Sequence, residues 1–178
     1  MRFDEVRYKY FQGRLQSNTF FRRFFIFWGI YGIIFVPLEV LMVLRVPNGG
    51  QAFILSVIAY FITWPIIAHA INTFYKKQRP YQRFGYDLIY SSILFSRVRK
   101  NQFNSFPSRH TMALSAVATV LLFYSMPVGI VGLVIAAWVG FSRIVLSYHY
   151  PIDVVAGFVL GCLCGWLVYM VGAPLLFT

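Results

Sequence analysis

Long uncharged stretches constrain this chain more than any other feature. Phe24 to Leu44 is apolar apart from Glu39, and Ala52 to Tyr75 carries no ionic group beyond His69. Thr111 to Ser142 holds no charged residue at all, and a last apolar run extends from Val154 to the C-terminus. A helix needs ~20 apolar residues to cross a bilayer. Four such runs predict membrane-spanning helices. The third is long enough for two short ones, with Met126-Pro127-Val128-Gly129 as the break. Val46-Pro47-Asn48-Gly49-Gly50 reads as a tight turn between the first two.

Composition agrees. Hydrophobic residues make up 59% of the 178, charged residues 12%, and mean hydropathy is +0.67. A water-soluble domain carries about twice that charged fraction. Disorder is excluded by the apolar and aromatic content. A disulfide scaffold is excluded because there are two cysteines. The expected fold is therefore an all-α polytopic membrane bundle of about five transmembrane helices. Residues 1–23 form a basic interfacial N-terminal helix, and residues 24–178 form one transmembrane domain.

Net charge is +11. The bases lie between apolar runs, so they read as loops at a lipid surface and not as a nucleic-acid face. With five spans, the N-terminus, the 76–110 loop and the 143–150 loop share one side. That side holds fifteen of the sixteen Lys and Arg, and Arg45 stands alone on the other. The positive-inside rule predicts a cytoplasmic location for the rich side. Tyr86 to Phe95 reads as a short interfacial helix, and Arg97, Arg99 and Lys100 as a lipid-surface patch.

Three polar clusters gather at that boundary. The first is Lys76-Lys77-Gln78-Arg79-Pro80, the second Pro107-Ser108-Arg109-His110, and the third joins Ser142-Arg143 to His149 and Asp153. An Asp four residues after a His can hold one ring nitrogen and leave the other to act as nucleophile or base. Arg143 offers a fork of donors to phosphate oxygens. Ser108 is placed to cap a helix whose N-terminus attracts anions, with His110 one turn in. Two histidines, several cations and a helix N-terminus suit phosphoryl transfer.

The pattern resembles the type-2 phosphatidic acid phosphatase superfamily, whose signatures are Lys-x6-Arg-Pro, Pro-Ser-x-His and Ser-Arg-x5-His-x3-Asp. The second and third occur in full at Pro107–His110 and Ser142–Asp153. The resemblance covers roughly residues 52–172. It implies that His149 is the nucleophile, that Asp153 orients it, and that His110 protonates the leaving oxygen and then activates water. It implies phosphate contacts from Arg79, Arg143 and Ser108, with no metal or other cofactor. Two positions depart from the pattern. Asn72 stands where the family has Lys; because Asn72, Lys76 and Arg79 follow helical spacing, Lys76 is expected to supply the charge. Pairing Lys76 with Arg83 keeps the spacing but loses the Pro. The variable position of the second signature is Arg109, expected to add a phosphate or headgroup contact.

The implied function is hydrolysis of the terminal phosphate of a membrane lipid, with polyprenyl diphosphate or phosphatidylglycerophosphate as substrate, in a bacterial plasma membrane. The alternatives are a lipid-to-lipid phosphotransferase and a non-catalytic phospholipid-binding protein. Outside the clusters, Glu39 is expected to snorkel or to pair with Arg45. His69 is expected to pack or hydrogen-bond within the bundle, and Cys162 and Cys164 to be inert buried thiols.

Overall fold

The computed structural model describes residues 3–43, 48–85 and 104–177, and every regular element among them is helical. Arg45, the Val46-Pro47 start of the turn, the Tyr86–Phe95 segment and Arg97, Arg99 and Lys100 lie outside the described residues.

Helix α1 (Phe3–Ser17) ends at Asn18, whose side-chain oxygen accepts the Phe21 N–H at 2.9 Å and caps the next helix. That helix, α2, spans residues 19–43. It starts as Thr19–Ile26, widens into a π turn at Phe27–Tyr31, tightens at Gly32–Ile34 and continues as Phe35–Val43. Asn48 adopts φ 59°, a left-handed conformation that Asn tolerates, and α3 (Gly49–Phe74) follows. Pro65 cannot donate to the helical ladder, and it sits inside a π turn at Ile62–Ile67.

Four stretches are long and apolar enough to cross a membrane: Thr19–Glu39, Gly49–Phe74, Met126–Val145 and Pro151–Phe177. The remaining expected span is the short apolar helix Arg109–Leu122, labelled α5 below. Its 14 residues rise only ~21 Å, less than the ~30 Å hydrocarbon core. Every residue from Thr111 to Leu121 is buried, because α3, α6 (Met126–Val145) and α7 (Pro151–Phe177) surround it. A helix sheathed by protein has no need to match the bilayer. The break before α6 falls at Phe123–Ser125, and Pro127 lies in the first turn of α6, where no N–H is needed.

The tightest seam joins α5 to α7. Gly157, Gly161 and Gly165 recur every fourth residue and turn one face of α7 to α5. A Cβ on Gly157 would stand 2.7 Å from the Ser108 carbonyl oxygen, and one on Gly161 would overlap the Met112 carbonyl. Glycine therefore lets the two backbones touch. One product of that closeness is the bond from Ser108 N–H to Asp153 O at 2.9 Å, which ties the start of α5 to the start of α7.

The N-terminal segment does more than lie at an interface. Tyr8, Gln12 and Leu15 of α1 are buried against the α6–α7 connection. The Tyr8 hydroxyl donates to the His149 carbonyl at 3.0 Å, and Gln12 Nε2 donates to Ser147 Oγ at 2.9 Å. Ser147 sits at φ 60°, and its carbonyl accepts the Tyr81 N–H at 3.1 Å. A connection held from both sides gives the residues after it fixed positions.

His69 and the cysteines are bystanders. Among the described residues His69 is exposed on α3, not packed within the bundle. Cys162 and Cys164 are unbridged and half-buried on α7.

Candidate active site

The three clusters converge at one end of the bundle. A pocket of about 60 Å³ is lined by Trp64, Arg79, Asn104, Arg109, His110, Arg143 and His149, with Tyr81 at its wall. That is room for roughly four waters, and hence for a phosphoryl group.

Each element delivers its residue for a local reason. Helix α3 stops at Phe74, since Tyr75 takes φ −110°, ψ 86°. The chain then runs extended to Arg79, whose N–H donates to Gln82 Oε1 at 3.0 Å, and Pro80 opens the short helix α4 (Pro80–Arg83). Arg79 is buried, and its Nε and Nη2 donate to Asn104 Oδ1 at 3.3 and 3.1 Å. Arg143 comes from the last turn of α6. Its Nη1 donates to the Gly29 carbonyl at 2.6 Å, inside the π turn of α2, and its guanidinium lies 4.6 Å from the Tyr148 ring centre. Arg109 and His110 form the first turn of α5. The His110 ring meets Trp64 edge-on at 4.7 Å, and the Arg109 guanidinium lies 6.0 Å from that indole.

His149 is 2% exposed and follows α6 in the held connection. Its Nδ1 stands 2.6 Å from the Ser105 carbonyl. A carbonyl can only accept, so Nδ1 carries the proton, and the neutral ring keeps its lone pair on Nε2. Burial pushes the His149 pKa well below the usual histidine value. The Arg79 and Arg143 guanidinium groups push the same way, with a smaller push from His110, against the Ser105 bond. The imidazole is thus uncharged at neutral pH and able to act as a nucleophile.

Asp153 is fully buried but stands off from the ring: its Oδ2 is 4.0 Å from His149 Nδ1. The same oxygen accepts Ser105 Oγ at 2.5 Å and the Tyr150 N–H at 3.0 Å. Its Oδ1 accepts the Lys77 ammonium at 2.6 Å. Asp153 is thus linked to His149 through Ser105, whose hydroxyl it accepts and whose carbonyl meets the ring.

Two expected phosphate ligands are not in the pocket. Lys76 is exposed and is not among the lining residues. The spacing argument for it assumed one continuous helix from Asn72 to Arg79, but the helix ends before Lys76. Asn72 itself is buried and donates to the Ala68 carbonyl. Ser108 takes the N-cap position of α5, but its hydroxyl is buried against Thr111 Oγ1 at 2.9 Å and does not line the pocket. Sequence reasoning placed Lys77 in the first cluster but chose Lys76 over it, and it missed Asn104, Ser105 and Trp64, which carry no motif. Among the described residues, no group of three or more His, Cys, Asp or Glu side chains stands together to hold a metal ion.

Comparison with known proteins fits this geometry. The chain is 39% identical over 74 residues to the bacitracin transport permease protein BcrC of Bacillus licheniformis, covering 42% of this chain and 36% of the relative. It is 35% identical over 65 residues to the undecaprenyl-diphosphatase BcrC of Bacillus subtilis, covering 36% and 34%. It is 39% identical over 66 residues to the lipid A 1-phosphatase of Rhizobium etli, covering 36% and 26%. The matches thus span about a third or less of these relatives' own lengths. No solved structure matches significantly. The PAP2 superfamily pattern matches residues 53–174, most of the chain and every residue lining the pocket. With that match over most of its length, and with His110, Arg143 and His149 of its two complete signatures lining one cationic pocket, the chain belongs to the PAP2 superfamily.

Proposed function

We propose that this protein removes the terminal phosphate of a membrane lipid phosphate or diphosphate through a phosphohistidine on His149. The observation that carries the reading is the His149 ring itself. It is buried and neutral, its proton fixed on Nδ1 by Ser105, and it faces a pocket holding Arg79, Arg109, Arg143 and His110.

Nε2 attacks phosphorus while the bond to the lipid oxygen breaks. His110, protonated, gives its proton to that oxygen, and the lipid leaves. Neutral His110 then takes a proton from water, which attacks phosphorus; the P–N bond breaks and inorganic phosphate departs. The arginines hold the non-bridging oxygens as charge builds on them. Charge stabilisation and an oriented nucleophile are what phosphoryl transfer needs most.

The names of two relatives, an undecaprenyl-diphosphatase and a lipid A 1-phosphatase, support a large lipid substrate, and the first favours a polyprenyl diphosphate. The skew of basic residues supports a cytoplasmic site. Labelling of a cysteine introduced at Lys76 by a membrane-impermeant reagent from inside, and not from outside, is the expected result.

The test of activity is phosphate release from a panel of lipid phosphates, with EDTA present and His149→Ala alongside. Release that survives EDTA and vanishes in the variant is expected. Phosphate moved to an acceptor lipid without release would make the protein a transferase, and no turnover on any lipid would contradict the reading.

A further inference from the structure

We propose that Lys77 is a positioning residue of this site: through Asp153 and Ser105 it fixes the His149 imidazole, and it balances the Asp153 carboxylate beside that ring. The effect on turnover rests on the phosphatase reading above; the effect on the imidazole does not.

Lys77, Asp153 and Ser105 form a closed circuit, and His149 is joined to it at Ser105. The Lys77 ammonium donates to Asp153 Oδ1 at 2.6 Å, and Asp153 Oδ2 accepts Ser105 Oγ at 2.5 Å. The Lys77 carbonyl accepts the Ser105 N–H at 3.0 Å. Ser105 is therefore held at its backbone by Lys77 and at its side chain by the carboxylate that Lys77 pairs. Its remaining polar group, the carbonyl, is the one that takes the His149 proton at 2.6 Å. The Lys77 ammonium also lies 4.6 Å from the Tyr150 ring centre and 5.8 Å from that of Phe106, and its side chain is 25% exposed.

Lys77 does not line the pocket, so it meets no substrate phosphate there. Its partner explains its place. Asp153 is wholly buried, and a carboxylate there needs partners that replace the water it has lost.

The charge matters as well as the geometry. Around His149 stand Arg79 ahead of α4, Arg109 and His110 on α5, Arg143 on α6 and Asp153 on α7. Asp153 is the anion of this set, 4.0 Å from Nδ1. Bare, it favours the imidazolium, which cannot attack phosphorus. Paired with Lys77, it exerts little net pull on that proton. Removing the ammonium therefore raises the pH at which the nucleophile is lost, while the Ser105 O–H and the Tyr150 N–H still donate to Asp153 Oδ2.

The experiment uses the full chain in detergent, with farnesyl diphosphate as probe and inorganic phosphate as inhibitor. Lys77→Ala is expected to lower kcat about tenfold to a hundredfold, as loss of positioning does. KM and inhibition by phosphate are expected to stay within about twofold, since no substrate contact is lost. The acid limb of kcat/KM is expected to move up by about one pH unit or more. Lys77→Arg restores rate and limb. Should Lys77→Ala fail to fold, Lys77→Gln keeps a donor without the charge and carries the same expectation. A raised KM and weakened phosphate inhibition with a fixed acid limb would overturn the proposal and make Lys77 a phosphate ligand. Unchanged kinetics would also overturn it. If the wild type turns over no lipid phosphate, the functional reading fails, and the 15N titration of His149 decides the role of Lys77 alone. A rise in the variant supports it, and an unmoved titration contradicts it.

Discussion

The α5–α7 seam and the α2–α3 seam are built on opposite plans. Along α5–α7, glycines bring backbones into contact, and Ser115 Oγ donates across to the Phe158 carbonyl at 3.1 Å. Between α2 and α3 lies a cavity of about 470 Å³ lined by Ile33, Val36, Pro37, Phe53, Val57 and Tyr60. There the buried Ser56 hydroxyl finds no hydrogen-bond partner among the described residues. Nor does the carboxyl of Glu39, which lies 4% exposed on α2 and packs toward Gly132 of α6. The tight seam ends in Ser108, His110 and Asp153, where tenths of an ångström govern chemistry. Among the described residues, the loose seam bears no residue of the pocket.

The contrast breaks most visibly at Gly161. Gly161→Val drives a side chain into the Met112 backbone and is expected to cost about 3 kcal/mol or more, with loss of activity. Val57→Ala, in the loose seam, is expected to cost less than about 1.5 kcal/mol and to leave turnover near wild type. Thermal unfolding in detergent compares the two.

Next comes pH. The unfolded His149 binds a proton near its ordinary pKa of about 6.5, while the folded ring resists protonation until much lower pH. The unfolded state therefore holds more protons in that window, and stability falls as pH drops through about 6.5. The slope from this group is at most about 1.4 kcal/mol per pH unit. Unfolding midpoints between pH 7.5 and 5.5, at roughly half-unit steps, are expected to fall less steeply in His149→Ala than in wild type.

The smallest effects are the sharpest comparison, because one substitution type is made twice. Ser115→Ala removes the bond across the tight seam and is expected to cost about 1 kcal/mol. Ser56→Ala removes a buried hydroxyl without a partner and is expected to be neutral or stabilising by up to about 1 kcal/mol. Equal costs at the two sites would erase the distinction.

Much of this was legible in the sequence because it depends on local pattern. Uncharged runs gave the helices, and Pro107–His110 and Ser142–Asp153 gave the histidines of the pocket. What stayed hidden depends on chain geometry between elements. The spacing of Asn72, Lys76 and Arg79 suggested one helical face, but Tyr75 ends the helix and turns Lys77, not Lys76, toward the site. Asn104 and Ser105 act from a non-helical segment through a side-chain amide and a backbone carbonyl, and a carbonyl leaves no trace in residue type. The short central helix had a legible apolar run, but its enclosure by neighbours is a tertiary fact.

The central claim is that the neutral His149 imidazole takes the phosphoryl group. The direct measurement is to quench the protein during turnover of terminally 32P-labelled farnesyl diphosphate and map the bound label. The account predicts an acid-labile, alkali-stable phosphoenzyme on the peptide carrying His149, absent in His149→Ala. Steady turnover with label on another residue, or unimpaired turnover in His149→Ala, would contradict it.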